Sequence, residues 1–353
     1  MDLFGHLSGY DYGEVHFKLD KATGLRAIIA IHDARLGPAL GGCRFIDYDS
    51  DEAALVDALR LARGMTYKAA LAGLAHGGGK SVIIRPRSHF DRSALFRAFG
   101  KFVDDLGGHY ITAEDSGTGL EDMEVIRTAT KHVTGVDMAH GGSGDPSPFT
   151  ALGVRRGIEA CVKAKLGKDS LKGIHVAVQG VGHVGYYLCR ELHAAGATLT
   201  VADVDALKSE RAHRELGAKV VPLDTIFGTE CDVFAPCALG SAMNDETVPR
   251  LKAKIVAGAA NNQLAEPRHG DDLHARGILY APDYAINAGG LINVAQEVVG
   301  YDEKISREKT LEIYDTILDI ADRSAKLKAP TYKVADIMGE EKLAAAMRQS
   351  RPR

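Results

Sequence analysis

The sequence predicts an α/β protein of two domains, and three observations carry that reading. The segment "HGGSGDPSPF" (140–149) packs three glycines and two prolines into ten residues, the composition of a linker or hinge. Beyond it, short apolar runs alternate with helical stretches, which indicates a parallel, doubly wound sheet. The first of those runs ends in glycines spaced G-x-G-x-x-G, at Gly180, Gly182 and Gly185. A chain of 353 residues is long enough for two cores. The expected division is a first α/β domain over 1–140, a hinge over 141–148, a second domain over 149–300, and C-terminal helices over 301–353 that pack back on the first domain.

In the first domain "GLRAIIAIHD" (24–33) has strand composition. The stretch 49–74 places Ala54, Leu55, Ala58, Leu59 and Ala62 at helical spacing, with Asp51 and Glu52 in the first turn where the helix dipole favours acids. The segment "GLAHGGGKSVII" (73–84) then imitates a phosphate-binding loop. Its first glycine falls one residue early, at Gly73, with Leu74 in the required place. The flanks are also reversed, a helix before and the strand "SVII" after, so the nucleotide-loop reading fails. A helix over 92–106 and the strand "HYITAED" (109–115) follow.

In the second domain a helix over 149–166 leads into "IHVAVQG", "TLTVADV", a helix over 205–217, "KVVP", "CDVFAPCA", "KIVAGAA" and "GILYAPD". After Ala288 the chain reads as mostly helical. The glycine turn follows the strand "IHVAV" and opens the helix "HVGYYLCRELHAAG". A second strand ends at Asp203, 18 residues after Gly185. That is the full context of a Rossmann fingerprint. Gly180 makes the tight turn, Gly182 lets backbone approach a pyrophosphate, and Gly185 lets helix and strand pack closely. The helix N-terminus faces the phosphates. Asp203 binds the adenosine ribose hydroxyls and repels a 2′-phosphate, which favours NAD over NADP.

Composition sets further bounds. Charged residues are 25% and apolar ones 45%, ordinary for a globular protein. A net charge of −4 with no dominant basic face argues against nucleic acid as a partner. No run approaches 18 apolar residues and "MDLFGHLSGYDYGE" has no signal-peptide pattern, so neither a membrane nor export is expected. The five cysteines are scattered and never form C-x-x-C, as fits reduced thiols in the cytoplasm. There is no H-E-x-x-H, and His269 and His274 are wrongly spaced for one helix face, so no metal is expected.

A hydride acceptor needs a substrate and a base. The first domain gathers polar groups in glycine-rich surroundings: "GPALGGCRF" (37–45), "MTYK" (65–68), "HGGGK" (76–80) and "TAEDSGT" (112–118). Lys68 and Lys80 could be solvated surface charges, and Asp115 an ordinary turn acid or N-cap. Against this, Lys80 stands between three glycines and an apolar strand, and enclosed lysines can act as bases.

These stretches, with "YITAEDSGT", "VAVQGVGHVG", "APCALG", "AGAANNQL" and "APDYAINAGGLINV", make the chain resemble the glutamate, leucine, phenylalanine and valine dehydrogenase family, closest to its leucine dehydrogenase branch. The motifs are collinear over roughly residues 10 to 300. The resemblance implies a substrate-binding and oligomerisation domain, a Rossmann NAD domain, and a cleft between them that closes for hydride transfer. It implies Lys80 as the base that activates water, Lys68 with Asn262 on the substrate α-carboxylate, and Asp115 as proton shuttle. Gly41 and Gly42 would line the carboxylate pocket. Thr150 and Asn261 would reach the nicotinamide side. The cofactor would also touch Val181, His183, Val184, Val204, Cys237, Ala238 and Asn287. The reaction implied is oxidative deamination of an L-amino acid to a 2-oxo acid, NADH and ammonia. A neutral lysine base predicts higher activity at alkaline pH, and the family implies a homo-oligomer.

Leu40 bears on the substrate. It stands where glutamate dehydrogenases of the family typically carry a lysine, and an apolar residue there leaves a substrate side-chain carboxylate unpaired. Leu291 and Val294, three apart on a helix, share a face that either packs in a core or lines the pocket. With Leu40, Met65 and Ala113 they would form an apolar slot for leucine, valine or isoleucine, with aromatic substrates as the alternative. Leu291 replaces a valine common in leucine dehydrogenases, Cys43 a usual threonine and Ser116 a usual valine, and His76 enters the glycine loop. Such changes reshape a pocket without removing a catalytic group. A hydroxy-acid dehydrogenase would not need Lys68, Lys80 and Asp115, and a non-catalytic NAD sensor would bind NADH without turnover.

Overall fold

The computed structural model describes residues 3–9, 13–238 and 240–349. Leu239 of "APCALG" and residues 350–353 of the expected C-terminal segment lie outside the described residues. The chain divides into two compact units. The first holds the described residues up to Gly144, Val294–Glu303, and those from Gly339 onward. The second holds Asp145–Asn293 and Lys304–Met338.

The first unit runs α1 (Leu3–Gly9), β1 (Glu14–Asp20), β2 (Leu25–Asp33), β3 (Ala39–Ile46), α2 (Asp51–Leu71), β4 (Gly77–Ile84), α3 (Arg92–Asp104), β5 (Tyr110–Glu114) and α4 (Leu120–Arg127). The sheet order is β1-β2-β4-β3-β5, with β3 parallel to β4 and β5 and the β1–β2 and β2–β4 pairs antiparallel. Helix α2 starts where Ser50 caps it, its hydroxyl accepting from the Ala53 N–H at 3.0 Å. The expected stripe of Ala54, Leu55, Ala58, Leu59 and Ala62 packs on Ile28, Ala30, Val82 and Ile84 of the sheet. The other face, with Cys43, Phe45 and Ile83, packs on Leu95, Phe96 and Phe99 of α3 and Met123 of α4. Both faces being covered, β4 is buried from end to end, so "SVII" reads as an apolar run without alternation. "GGGK" lies inside this strand and opens no helix, as the failed phosphate-loop spacing requires. Strand β3 carries no strand signal in the sequence because its glycines mask one. They are needed for close approach: a Cβ on Gly41 would sit 1.7 Å from the Gly79 carbonyl oxygen.

The second unit contains α5 (Ser147–Leu166), β6 (His175–Gln179), α6 (His183–Ala194), β7 (Thr198–Ala202), α7 (Ala206–Leu216), β8 (Lys219–Val220), β9 (Val233–Pro236), β10 (Ile255–Val256), α8 (Pro267–Ala275), β11 (Leu279–Tyr280) and α9 (Asp283–Ile286). Helix α10 (Gly289–Ala295) follows, then α11 (Glu303–Leu311), α12 (Ile313–Leu327) and α13 (Thr331–Gln349). Its sheet is wholly parallel in the order β11-β10-β9-β6-β7-β8. The chain moves outward from β6 to β8 and then returns to the far side of β6 with β9. Ligands of such sheets bind at that switch point, beyond the carboxyl ends of β6 and β9.

The C-terminal helices divide between the two units. Val294–Glu303 and the described residues from Gly339 onward group with the first unit, whereas Lys304–Met338 belong to the second. The reason is packing: α12 buries Ile313 and Ile317, which close over Gly153 and Gly157 of α5, where an added Cβ would meet them. Helical periodicity marks an apolar face but not its partner.

Candidate active site

In the first unit the alternation of strands decides which side chains meet. A Cβ on Gly78 would lie 2.1 Å from the Thr66 backbone nitrogen, so Gly78 faces α2. Lys80, two residues on, shares that face. So do Gly42 and Arg44 of β3, Ala113 near the end of β5, and Asp115 directly after it. Met65 and Lys68 stand in the last turns of α2, both half-buried. Leu40 is buried with 1% exposure, and Ala113 is half-buried.

Lys80 is the buried lysine, at 5% exposure. Its Nζ donates to Asp115 Oδ2 at 2.6 Å. The same oxygen accepts from Arg44 Nε at 3.0 Å, and Arg44 Nη1 donates to Asp57 Oδ2 at 2.9 Å. The Tyr48 hydroxyl closes the network on Asp57 at 2.6 Å. Burial alone would raise the Asp115 carboxyl, but the Lys80 ammonium and Arg44 guanidinium outweigh it and hold it at about 2. Asp115 is therefore a carboxylate across the physiological range. Beneath it, burial pushes the Cys43 thiol up to about 12, so Cys43 is an uncharged packing group there. The glycines before Lys80 admit the chain's own groups. Gly78 faces Thr66, and a Cβ on Gly79 would meet the Tyr110 ring at 2.8 Å.

In the second unit Gly180 has φ +91, its N–H donates to Ala202 O at 2.7 Å, and Cys237 N donates to Gln179 O at 2.7 Å. A Cβ on Gly185 would lie 2.0 Å from the Gly180 oxygen, whereas a Cβ on Gly182 would meet nothing within 4 Å. The turn is thus packed from within and open at its outer glycine. Val181 and Gly182 border a cavity of about 390 Å³ with His183. His183 is exposed and Val184 half-buried. Asp203 Oδ2 accepts from Val181 N at 2.7 Å and Oδ1 from Asp205 N at 2.9 Å, so it holds the turn itself and keeps further lone pairs outward. Val204 is 87% exposed. Cys237 and Ala238 directly follow β9, and a Cβ on Gly180 would sit 2.7 Å from Ala238 N.

Asn287 Nδ2 donates to Asn261 Oδ1 at 2.7 Å and to Ala259 O at 3.1 Å, which leaves the buried Asn287 Oδ1 with no hydrogen-bond partner among the described residues. An orphaned acceptor at the loop beyond the carboxyl end of β10, on the same edge of the parallel sheet as the open glycine turn after β6, fits a ligand carrying a carboxamide donor and a diphosphate. Asn262 is exposed and left-handed, at φ +51. Thr150, in the first turn of α5, donates to Pro146 O at 3.2 Å. Leu291 and Val294 are both half-buried in α10, Leu291 in the second unit and Val294 in the first.

Two family models match the chain, the Glu/Leu/Phe/Val dehydrogenase dimerisation domain over residues 12–132 and the glutamate/leucine/phenylalanine/valine dehydrogenase model over 141–207 and 201–351. The chain belongs to the Glu/Leu/Phe/Val dehydrogenase family. It is 55% identical to a leucine dehydrogenase of Geobacillus stearothermophilus, an alignment covering 99% of this chain and 95% of that one. It is 53% identical to a leucine dehydrogenase of Bacillus cereus, over 98% of this chain and 94% of that one. The crystal structure of L-tryptophan dehydrogenase from Nostoc punctiforme superposes with a TM-score of 0.88 at 44% identity, covering 98% and 100% of the two chains. The chain is thus an amino-acid dehydrogenase, an oxidoreductase of a family that uses a nicotinamide cofactor.

The sequence alone does not single out some groups of this candidate site. Arg44 and Asp57 complete the charge network around Asp115. Arg44 lies inside a quoted motif, and a lone arginine in an apolar strand is a signal that could have marked it. Asp57 interrupts the buried face of α2 in the same way. Gln263, fully buried, donates to Gly258 O at 2.8 Å and Ala260 O at 3.0 Å and so shapes the "AGAANNQ" turn. Nothing in its sequence neighbourhood distinguishes it.

Proposed function

We propose that this chain catalyses the reversible, NAD-dependent oxidative deamination of an apolar L-amino acid, leucine with valine and isoleucine, to the 2-oxo acid. The balance is amino acid, NAD and water giving 2-oxo acid, NADH and ammonium with release of a proton. The single observation that carries the reading is the buried Lys80 Nζ held 2.6 Å from Asp115.

When bound, the nicotinamide ring accepts the hydride lost from the substrate α-carbon. The chain's own residues do the rest. Two cations, Lys80 and Arg44, are already matched by two carboxylates, Asp115 and Asp57. A substrate α-carboxylate therefore needs a further cation, and Lys68, one turn beyond Met65 on α2, takes that part with Asn262. In its neutral form Lys80 Nζ would take a proton from the attacking water, and Asp115 would exchange protons with the amino group. Gly41 and Gly42 bring backbone close to the carboxylate. Leu40, Met65, Ala113, Leu291 and Val294 form an apolar slot that leaves a side-chain carboxylate unpaired.

Asp203 supports NAD over NADP, since a carboxylate at the ribose repels a 2′-phosphate. Val181, His183, Val184, Val204, Cys237, Ala238 and Asn287 would contact the cofactor, with Thr150 and Asn261 on its nicotinamide side. A homo-oligomer is supported by the dimerisation-domain match and by the edge strand β1, which exposes Phe17 and Leu19. Five free cysteines support a reducing, cytoplasmic setting. Among the described residues no helix is long and apolar enough to cross a membrane.

The test is NADH formation with leucine, valine, isoleucine, phenylalanine, tryptophan, glutamate and alanine, with NADP as a second cofactor. The proposal expects branched-chain substrates to lead. The likeness to a tryptophan dehydrogenase supports an aromatic preference as the second reading, and phenylalanine or tryptophan in first place would establish it. NADH binding without any turnover would leave only a sensor.

A further inference from the structure

Glu297 lies outside every motif considered so far. It sits in a 3-10 turn (Gln296–Val299) directly after α10, three residues beyond Val294. Its carboxylate accepts three hydrogen bonds: Gly135 N to Oε2 at 2.8 Å, Ser143 N to Oε1 at 2.9 Å, and Ser143 Oγ to Oε1 at 2.5 Å. Ser143 is buried.

The segment it grips runs beside the catalytic sheet. Thr112 N donates to His132 O at 3.0 Å, Thr134 N donates to Thr112 O at 2.9 Å, and Thr112 bridges Val133 in parallel. Residues 132–134 thus extend the sheet past β5. Gly135 continues directly from them, and its backbone amide ends on Glu297. One carboxylate therefore joins the segment paired with Thr112 of β5, the strand that holds Ala113 and leads into Asp115, to the turn that directly follows the helix carrying Val294. All of these residues belong to the first unit.

We propose that Glu297 is a positioning residue for substrate selection: it fixes Val294 against the Ala113 side of the side-chain slot. The inference rests on the functional reading above, in which both residues line that slot. Charge-assisted bonds from two backbone N–H groups and a hydroxyl set the separation more firmly than apolar contact alone. A slot whose walls can drift loses discrimination between side chains that differ by a methylene. Glu297 touches neither substrate nor cofactor, so its effect falls on substrate KM and side-chain preference rather than on the chemical step.

The experiment compares full-length wild type with Glu297→Ala, Glu297→Gln and Ser143→Ala, measuring kcat and KM for leucine, valine and phenylalanine and KM for NAD. Glu297→Ala is expected to raise KM for leucine roughly tenfold and to cut the preference for leucine over valine several-fold, with KM for NAD nearly unchanged. Glu297→Gln retains one acceptor oxygen and is expected to rescue part of the loss. Ser143→Ala removes one bond, and a shift of about two- to fivefold in the same direction is expected. Should Glu297→Ala fail to fold, the two milder variants decide. Unchanged leucine KM and preference in folded variants, or a loss of kcat alone, overturns the inference while wild-type turnover upholds the functional reading. Wild-type silence on every amino acid overturns that reading and the inference with it.

Discussion

Lys80 reaches Asp115 across an intervening strand. Lys80 is on β4 and Asp115 directly follows β5, with β3 between those strands in the sheet. Two strand spacings are about 10 Å, yet Nζ and Oδ2 are 2.6 Å apart. The lane over β3 is kept open by Gly42, where a Cβ would lie 2.7 Å from the Glu114 oxygen and 2.8 Å from Asp115 Cβ. The glycine thus leaves room for an ion pair between strands that are not neighbours.

Gly42→Ala is expected to push Asp115 and the end of β5 outward. Overpacking of this kind costs roughly 1–3 kcal/mol of stability. Turnover with leucine should fall by about 100-fold, as for a misplaced catalytic group. Activity and thermal unfolding measured on the same preparation check this, and a variant with wild-type turnover would show that the lane over Gly42 is immaterial.

Asp115 predicts an acid-linked stability term. Its carboxyl is held at about 2 in the fold against an ordinary 3.8. A depressed carboxylate stabilises the fold above its unfolded value, and that contribution is lost as pH falls through the folded one. The difference corresponds to about 2 kcal/mol at neutral pH. Asp115→Asn should therefore unfold at lower urea than wild type at pH 7, with the gap closing between pH 4 and 2. A gap that stays constant over that range would contradict the assignment.

Asp203 carries two tasks that one substitution separates. It holds Val181 N and Asp205 N, and its charge faces the ribose in the proposed complex. Asp203→Asn retains an acceptor for one of those N–H groups but removes the charge. Like-charge repulsion is worth several kcal/mol, so the ratio of kcat/KM for NADP over NAD should rise by roughly 100-fold. KM for NAD should also increase, because the turn loosens. An unchanged ratio would place cofactor choice elsewhere.

Much of this was readable in the residues, for identifiable reasons. The glycine turn and Asp203 stand in one βαβ unit, so local spacing alone carries their meaning. Helix α2 declared itself through its apolar stripe and first-turn acids. Strand β3 did not, because "GPALGG" has the glycines of a loop and only contact with β4 explains them. The partner of α12 was illegible, since an amphipathic face does not name what it packs on. Arg44, Asp57 and Glu297 act through bonds to residues 71, 13 and as many as 162 positions away. Separations of that kind leave no periodic trace.

The most direct test of the Lys80–Asp115 account is the rate of NADH formation from leucine by wild type and Lys80→Ala at saturating substrate, with NADH binding measured on both. The account predicts a loss of about 100- to 10,000-fold in kcat with NADH binding intact. A folded Lys80→Ala protein that turns over within tenfold of wild type would contradict it.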